Sequence, residues 1–416
     1  MKDFEPVYRT RPGAEDIVGA NAPAAQQVHQ GIWMSPGLSN SYLLTTGEGR
    51  IVVNTGMGFE APVHRANYDA VDSSPIRYVI LTQGHYDHVG GTDVLIDSGS
   101  EVVAQANWET WRRDNELLAN FRIANSSFAW ADKVAASIAY TMERTGGTLP
   151  PQSAPVPTIV VDEQLELKLG GRRLELHATP GGETTDSLVV WLPEEGVCLC
   201  GNVFGALFGH IPNLVTMRGD RYRDALTVIK SIEAVHELGA EVLLTGHFGP
   251  ITGSDRIRAE LTRLRDAVAY IHDQTVAGMN AGKDVLTLMR EVRLPPELEV
   301  GEGYGMVPWN VRAIWENYAG WFHHRSTTEL YPVAPESVSA DLVGLAGADA
   351  IVGRARTLLS QGELLRAIHL AEIVKRVEPH NENARTVLAT AHEQLLGNSI
   401  NFWESAWLHK QIEELS

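Results

Sequence analysis

Between residues 27 and 246 the chain alternates short apolar runs with polar, glycine-bearing turns. The runs at 51–53, 78–81, 101–104, 158–161, 187–191 and 241–244 are rich in Val, Ile and Leu. Runs of that length and composition predict strands buried on one or both faces. Elsewhere in this region the apolar period lengthens to that of a helix, most clearly over 224–238. Strands and helices mixed along one stretch predict a layered αβ domain.

The pattern changes after Pro250. Ile257, Leu261, Leu264, Val268 and Ile271 recur at helical spacing. Further helical stretches are predicted at 285–292 and 311–322, and a pair between 350 and about 396. In that pair Gly362, Ala367 and Pro379 are placed as in a tetratricopeptide-like helical hairpin, although one unit does not establish a repeat. The proline-bearing segment 329–338 suits a linker. The predicted layout is a mixed αβ domain over 1–252 and a helical domain over 253–416.

Composition narrows the function. At about 150 residues per domain, a chain of 416 residues predicts two or three domains. Hydrophobic residues at 44% and charged residues at 21% exclude a chain disordered throughout. A formal charge of −18 opposes binding to nucleic acid or an anionic membrane, which both need a basic footprint. No run of 18 uncharged apolar residues occurs, and the opening MKDFEPVYRTRPG lacks the apolar centre of a signal peptide. A cytoplasmic protein is therefore expected. The two cysteines, Cys198 and Cys200, would share one face of a strand, too close along the chain for an easy disulfide. With no second pair, they make no zinc knuckle.

The chemistry concentrates in the run LTQGHYDHVGG over 81–91. It sets His85, Asp87 and His88 directly after a predicted strand, in a loop closed by two glycines. Imidazole nitrogen and carboxylate oxygen are ligands that zinc and similar ions take, and one tight loop lets several converge. Glu183, in TPGGETTDS, and His247, in LTGHFGP, follow near the ends of later apolar runs. Each alone reads as a turn carboxylate or a strand-end histidine; in this order they form a ligand set.

That series resembles the metallo-β-lactamase fold superfamily, with its T-H-x-H-x-D-H signature followed by a His or Glu, an Asp or Glu, and a final His. Within it the chain looks most like the alkylsulfatase branch. Pro180-Gly181-Gly182-Glu183 resembles that branch's P-G-x-E motif, and the run NLVTMRG over 213–219 resembles its sulfate-binding segment. The runs YIHDQT at 270–275, LPPEL at 294–298, NVRA at 310–313 and YAGW at 318–321 resemble its helical dimerisation domain. The resemblance implies an αββα metallo-β-lactamase sandwich followed by an all-α dimerisation domain, and a homodimer.

Carried over, His85 and Glu183 would hold a first metal ion, and Asp87, His88 and His247 a second, with Asp87 and His88 central to catalysis. Two positions depart from the pattern. Gln83 stands where the first histidine is expected, and Asn202 where a bridging carboxylate is expected. Both are neutral amides: glutamine is a weaker zinc donor than imidazole, and loss of the bridging charge leaves two dications less compensated. We therefore expect a weakened first site and one firmly held ion on Asp87, His88 and His247. Asn54 likewise replaces an aspartate that supports the ligand loop. Zinc is the implied metal, as one or two ions, with manganese and iron as alternatives.

The resemblance further implies a hydrolase in which metal-activated hydroxide cleaves a sulfate ester or similar small ester. Asn213 and Arg218 would bind the anionic group of a small-molecule substrate. Longer alkylsulfatases continue into a lipid-binding domain resembling sterol carriers; the sequence here ends at Ser416, which favours a small ester over a detergent-like one. Trp108, Trp111, Phe121, Phe128, Trp130 and Tyr140 read chiefly as helical core, with an apolar substrate entrance as the second reading. Two other functions stay open. One is a different hydrolase on the same scaffold (lactonase, β-lactamase-like amidase or phosphodiesterase). The other is a family member that kept the fold and lost the chemistry.

Overall fold

A computed structural model describes residues 4–147 and 149–415 of the chain. Two sheets carry the mixed region. The first is seven-stranded and runs in chain order: β1 (Gln26–His29), β2 (Ile32–Ser35), β3 (Ser41–Thr46), β4 (Gly49–Val53), β5 (Ile76–Ile80), β6 (Glu101–Gln105) and β7 (Ile159–Val161). Its first four strands pair antiparallel and the steps from β4 to β7 are parallel. The second is six-stranded, built from β8 (Gln164–Leu169), β9 (Arg172–Ala178), β10 (Leu188–Leu192), β11 (Val197–Gly201), β12 (Val242–Thr245) and β13 (Ile251–Thr252). There β11 and β12 pair parallel, and the other neighbours antiparallel.

Alternation along the strands decides what each sheet face buries. Tyr42, Leu44, Ile51, Val53 and Ile80 of the first sheet meet Leu174, Leu176, Leu188, Val190 and Leu199 of the second. Their neighbours Leu43, Val52, Val79 and Val102 face outward, onto Tyr68 of α1 (Ala61–Asp69) and onto Val89 and Trp108 of the next helices along the chain. Those helices are α2 (Tyr86–Val89) and the 38-residue α3 (Trp108–Thr145). On the far side, Val189, Trp191, Cys198, Cys200 and Leu243 face α4 (Ala225–Leu238) and α5 (Ser254–Asn280). The same core takes in α6 (Val285–Glu291) and α7 (Val307–Ala319). The result is the expected αββα sandwich.

Both thiols lie in that outer core, free and 3.8 Å apart. Among the described residues no helix is long and apolar enough to cross a membrane.

By contacts the chain forms two compact units, which divide between Tyr318 and Ala319. The chain turns all-helical near 252, but α5 to α7 bury their apolar stripes against the second sheet and so belong to its unit. The second unit holds α8 (Ser339–Ala346), α9 (Ala348–Ser360), α10 (Leu364–Val377), α11 (Glu382–Leu396) and α12 (Phe402–Leu415) around its own core, which includes Val352, Leu358, Ala371, Val374 and Leu388. Three helices therefore occupy 350–396, where a pair is expected. Gly362, at φ +77°, closes the α9–α10 hairpin, and Pro379 marks a second break before α11. The linker segment 329–338 holds short 3-10 turns rather than plain coil.

One buried group in this fold gives a pH prediction. His64 of α1 is fully buried, with Nδ1 2.7 Å from Ser35 Oγ, and desolvation pushes its pKa down to about 4. The native state holds it neutral, whereas the unfolded chain protonates it near about 6.5. Its contribution to stability is therefore present above about pH 6.5 and lost as pH falls towards 4, on the order of 3 kcal/mol. His64→Asn should lose less stability than wild type across that interval. Denaturant titrations at both ends check this, and equal losses in the two proteins would refute it.

Candidate metal centre and substrate cavity

Strand ends from both sheets converge to build the site. Asn54 follows β4, in the left-handed region at φ +59°, which asparagine tolerates better than most residues. Gln83 and His85 follow β5, and α2 then presents Asp87 and His88. Glu183 lies in the turn between β9 and β10, Asn202 follows β11, and His247 follows β12. Glycines let these loops approach. A Cβ at Gly246 would fall 2.1 Å from Asn202 Oδ1 and 2.9 Å from His88 Cε1, and one at Gly84 would fall 1.8 Å from Trp111 Cδ1. A Cβ at Gly181 would lie 2.1 Å from the Thr227 carbonyl oxygen, so the Glu183 turn can lie against the first turn of α4 only with glycine there.

The expected ligands separate into two groups. Asp87, His88 and His247 each offer a ligand atom, and these atoms lie within 4.8 Å of one another. His88 Nε2 is the nitrogen nearer the carboxylate, 3.5 Å from Asp87 Oδ2. The other ring nitrogen of His88, Nδ1, lies 2.9 Å from Asn54 Nδ2. Burial lowers the His88 pKa to about 4, and it lowers that of His247 too. Both imidazoles are thus neutral, the form that ligates metal. The buried Nδ1 of His247 and Oδ1 of Asn202 have no hydrogen-bond partner among the described residues. One carboxylate and two neutral imidazoles at this spacing fit a single ion.

The other group is engaged in hydrogen bonds. Gln83 Nε2 donates to Glu183 Oε2 at 3.0 Å and lies 2.8 Å from His85 Nδ1, while Gln83 Oε1 accepts the Asn202 backbone N–H at 3.2 Å. Arg218 Nη2 donates to His85 Nε2 at 2.8 Å. Arg218 holds the single lone pair of a neutral His85, and the Gln83 amide N–H bonds the Glu183 carboxylate, both of which an ion between Gln83, His85 and Glu183 would need. Burial and Arg218 press the His85 pKa down, but Glu183 and Asp220 outweigh them and raise it. Burial opposes the charge on Glu183, yet His85, Arg223 and Arg218 hold its pKa well below the usual carboxylate range.

Both groups border one cavity of about 400 Å³. His85, Asp87, Glu183, Asn202, Arg218 and His247 form its polar floor; Trp111, Ile123, Trp130 and Val134 of α3 form an apolar wall. Gln83 and His88 lie behind the floor. Of the aromatics expected in the helix, Trp111 and Trp130 reach the cavity, while Trp108 packs into the core on the first sheet. Asn213 is buried but does not line the cavity; its backbone carbonyl accepts a bond from Arg223, and its Nδ2 has no partner among the described residues.

Sequence reasoning missed Asp220 and Arg122. Asp220 lies 3.2 Å from Arg122, 3.7 Å from Arg218 and 3.9 Å from Arg223, and burial of its carboxyl is overridden by His85, Arg223 and Arg218. Arg122 reaches it from α3 and stacks over Trp111, 5.1 Å from the ring centroid. Asp220 directly follows the sulfate-binding-like run and so lay within reach of a motif reading. No local signal marks Arg122, because a single arginine on a long helix is ordinarily a solvated residue.

Comparison with known proteins bears on both units. The metallo-beta-lactamase superfamily model matches residues 34–247, and the alkyl sulfatase dimerisation model matches residues 286–415. A linear primary-alkylsulfatase of Pseudomonas sp. is 26% identical over 391 residues, covering 89% of this chain and 73% of the relative. The alkyl/aryl-sulfatase BDS1 of Saccharomyces cerevisiae is 26% identical over 402 residues, covering 90% and 61%. An (R)-specific secondary-alkylsulfatase of Pseudomonas sp. is 26% identical over 361 residues, covering 82% and 54%. The chain thus spans between about half and three quarters of these relatives' lengths. The solved structure of the stereoselective inverting sec-alkylsulfatase Pisa1 from Pseudomonas sp. shares the fold. Its TM-score is 0.82 at 23% identity, covering 95% of this chain and 66% of that one. The first model matches more than half of the chain, and the second covers most of the remainder towards the C-terminus; the chain belongs to the metallo-β-lactamase superfamily and carries an alkyl sulfatase dimerisation domain.

Proposed function

We propose that the chain is a metal-dependent hydrolase of sulfate esters or similar small anionic esters, holding one zinc ion on Asp87, His88 and His247 and acting as a homodimer. The observation that carries this reading is the shared cavity: Asp87 and His247 of the ligand cluster border the same space as Arg218, and His88 completes the cluster from behind its floor. The alkylsulfatase relatives and the dimerisation model support the ester class and the dimer. The buried pair of free thiols suits the reducing cytoplasm, where we place the protein.

The ion, when bound, supplies Lewis acidity and lowers the pKa of a coordinated water. The chain's own residues supply the rest. Arg218 offers planar N–H donors to an oxyanion, and Asp220 orients it. Arg122, Arg218 and Arg223 gather at Asp220, so cationic groups are concentrated beside the cavity in a chain of net charge −18. Trp111, Ile123 and Trp130 exclude water from the alcohol portion of the ester.

Counting ions tests this directly. Reconstituted wild type is expected to hold one ion per chain by elemental analysis, and none at saturation would refute the reading. Gln83→His combined with Asn202→Glu should raise the count to two, by removing the amide donors from the first position and adding a bridging charge. An unchanged count would argue against Gln83 and Asn202 as the reason the first position is filled.

A further inference from the structure

We propose that Asn54 fixes the tautomer of His88 and thereby limits how tightly the Asp87–His88–His247 cluster holds an ion. The inference rests on the metal-dependent reading and goes beyond it to a residue that touches no ion.

The amide of Asn54 can face only one way. Its Oδ1 accepts the Thr82 backbone N–H at 2.9 Å and the Thr82 hydroxyl at 3.0 Å. A backbone N–H is a donor only, so an acceptor must face it. The amide NH2 is then left against His88, with Nδ2 2.9 Å from Nδ1. A ring nitrogen facing an N–H donor carries no proton of its own, so the proton of the neutral imidazole is on Nε2. That nitrogen is the one beside Asp87. In this tautomer a hydrogen, rather than a lone pair, points to where an ion would be held.

Ligation through Nε2 requires the proton to move to Nδ1 and the Asn54 amide to turn so that Oδ1 accepts it. The turn would leave the Thr82 N–H facing the amide NH2, with Asn54 and Thr82 both 1% exposed and water excluded. A carboxylate at 54 removes the conflict. One oxygen would keep Thr82, and the other would accept Nδ1–H, leaving the Nε2 lone pair free. Asn54 is therefore a positioning residue that opposes ion binding, where an aspartate would favour it.

Two measurements on the full-length protein test the proposal. Long-range proton–nitrogen NMR spectra of the metal-stripped chain report which His88 nitrogen carries the proton. Wild type should show it on Nε2 and Asn54→Asp on Nδ1. Calorimetric titration with Zn²⁺ against a competing chelator should give at least about a tenfold tighter Kd for Asn54→Asp, in the range seen for changes to partners of metal ligands. Added charge alone could tighten binding, so Asn54→Gly serves as the neutral control. Glycine suits the positive φ and removes the amide, and its Kd should fall between the other two. A wild-type proton on Nδ1 overturns the proposal. So does an Asn54→Gly protein that binds no more tightly than wild type. Failure of the metal reading itself shows differently, as no Zn²⁺ bound by wild type at saturation.

Discussion

Asp87→Ala is expected to abolish ion binding and lower kcat/KM on a sulfate monoester by about a thousandfold or more, the scale of losing an activated water. Asp87 is the anionic member of the Asp87–His88–His247 group; without it two neutral imidazoles face a dication in a buried pocket. Its side chain is 28% exposed at the edge of α2, so the fold should survive the change. Elemental analysis, steady-state rates and a thermal melt on the same preparation separate loss of the ion from loss of the structure. Retained ion content together with a near-normal rate would sink the assignment of the cluster as the metal centre.

The second large effect belongs to Arg218. Arg218→Ala should cost about 10²–10³-fold in kcat/KM on anionic esters, the range found when one donor to developing charge is removed. A neutral ester of similar size should lose far less, because it presents no formal charge to the guanidinium. Arg218→Lys should recover only part of the loss, since an ammonium cannot offer two parallel N–H donors. Arg122 and Arg223 remain beside Asp220 in either variant, so Asp220 keeps two of its three arginine neighbours. Equal losses on charged and neutral substrates would show that Arg218 instead acts by holding His85, to which it donates at 2.8 Å.

Much of the fold was legible because its signals are local. Residues 78–81 read as a strand from their apolar run, and β5 spans Ile76–Ile80; 285–292 read as a helix, and α6 spans Val285–Glu291. Strands β8 and β9 were missed because their outer positions carry Glu, Lys and Arg, and only Leu167, Leu174 and Leu176 are buried in the sandwich. The length of α3 was likewise hidden. Few of its residues are buried, so no continuous apolar stripe announces it. The division into compact units is not a local signal either. A change from mixed to helical pattern marks secondary structure, whereas packing of α5 to α7 on the second sheet decides the unit.

The sequence by itself determined the ligand types and their order: His85, Asp87, His88, Glu183 and His247 stand at strand ends, with amides at 54, 83 and 202. Residue identity sets which atoms can donate, accept or ligate, and no folding changes that. Only the tertiary structure decided which of these atoms share a space and which way each amide turns. The Thr82 backbone N–H orients Asn54, and the Asn202 backbone N–H orients Gln83. A hydrogen-bond direction depends on a partner 28 or 119 residues away, which no local pattern contains. The same holds for Asp220, whose three arginine neighbours come from α3 and from its own loop. Chemistry was written along the chain; its assignment to one ion position and one hydrogen-bonded position was made by packing.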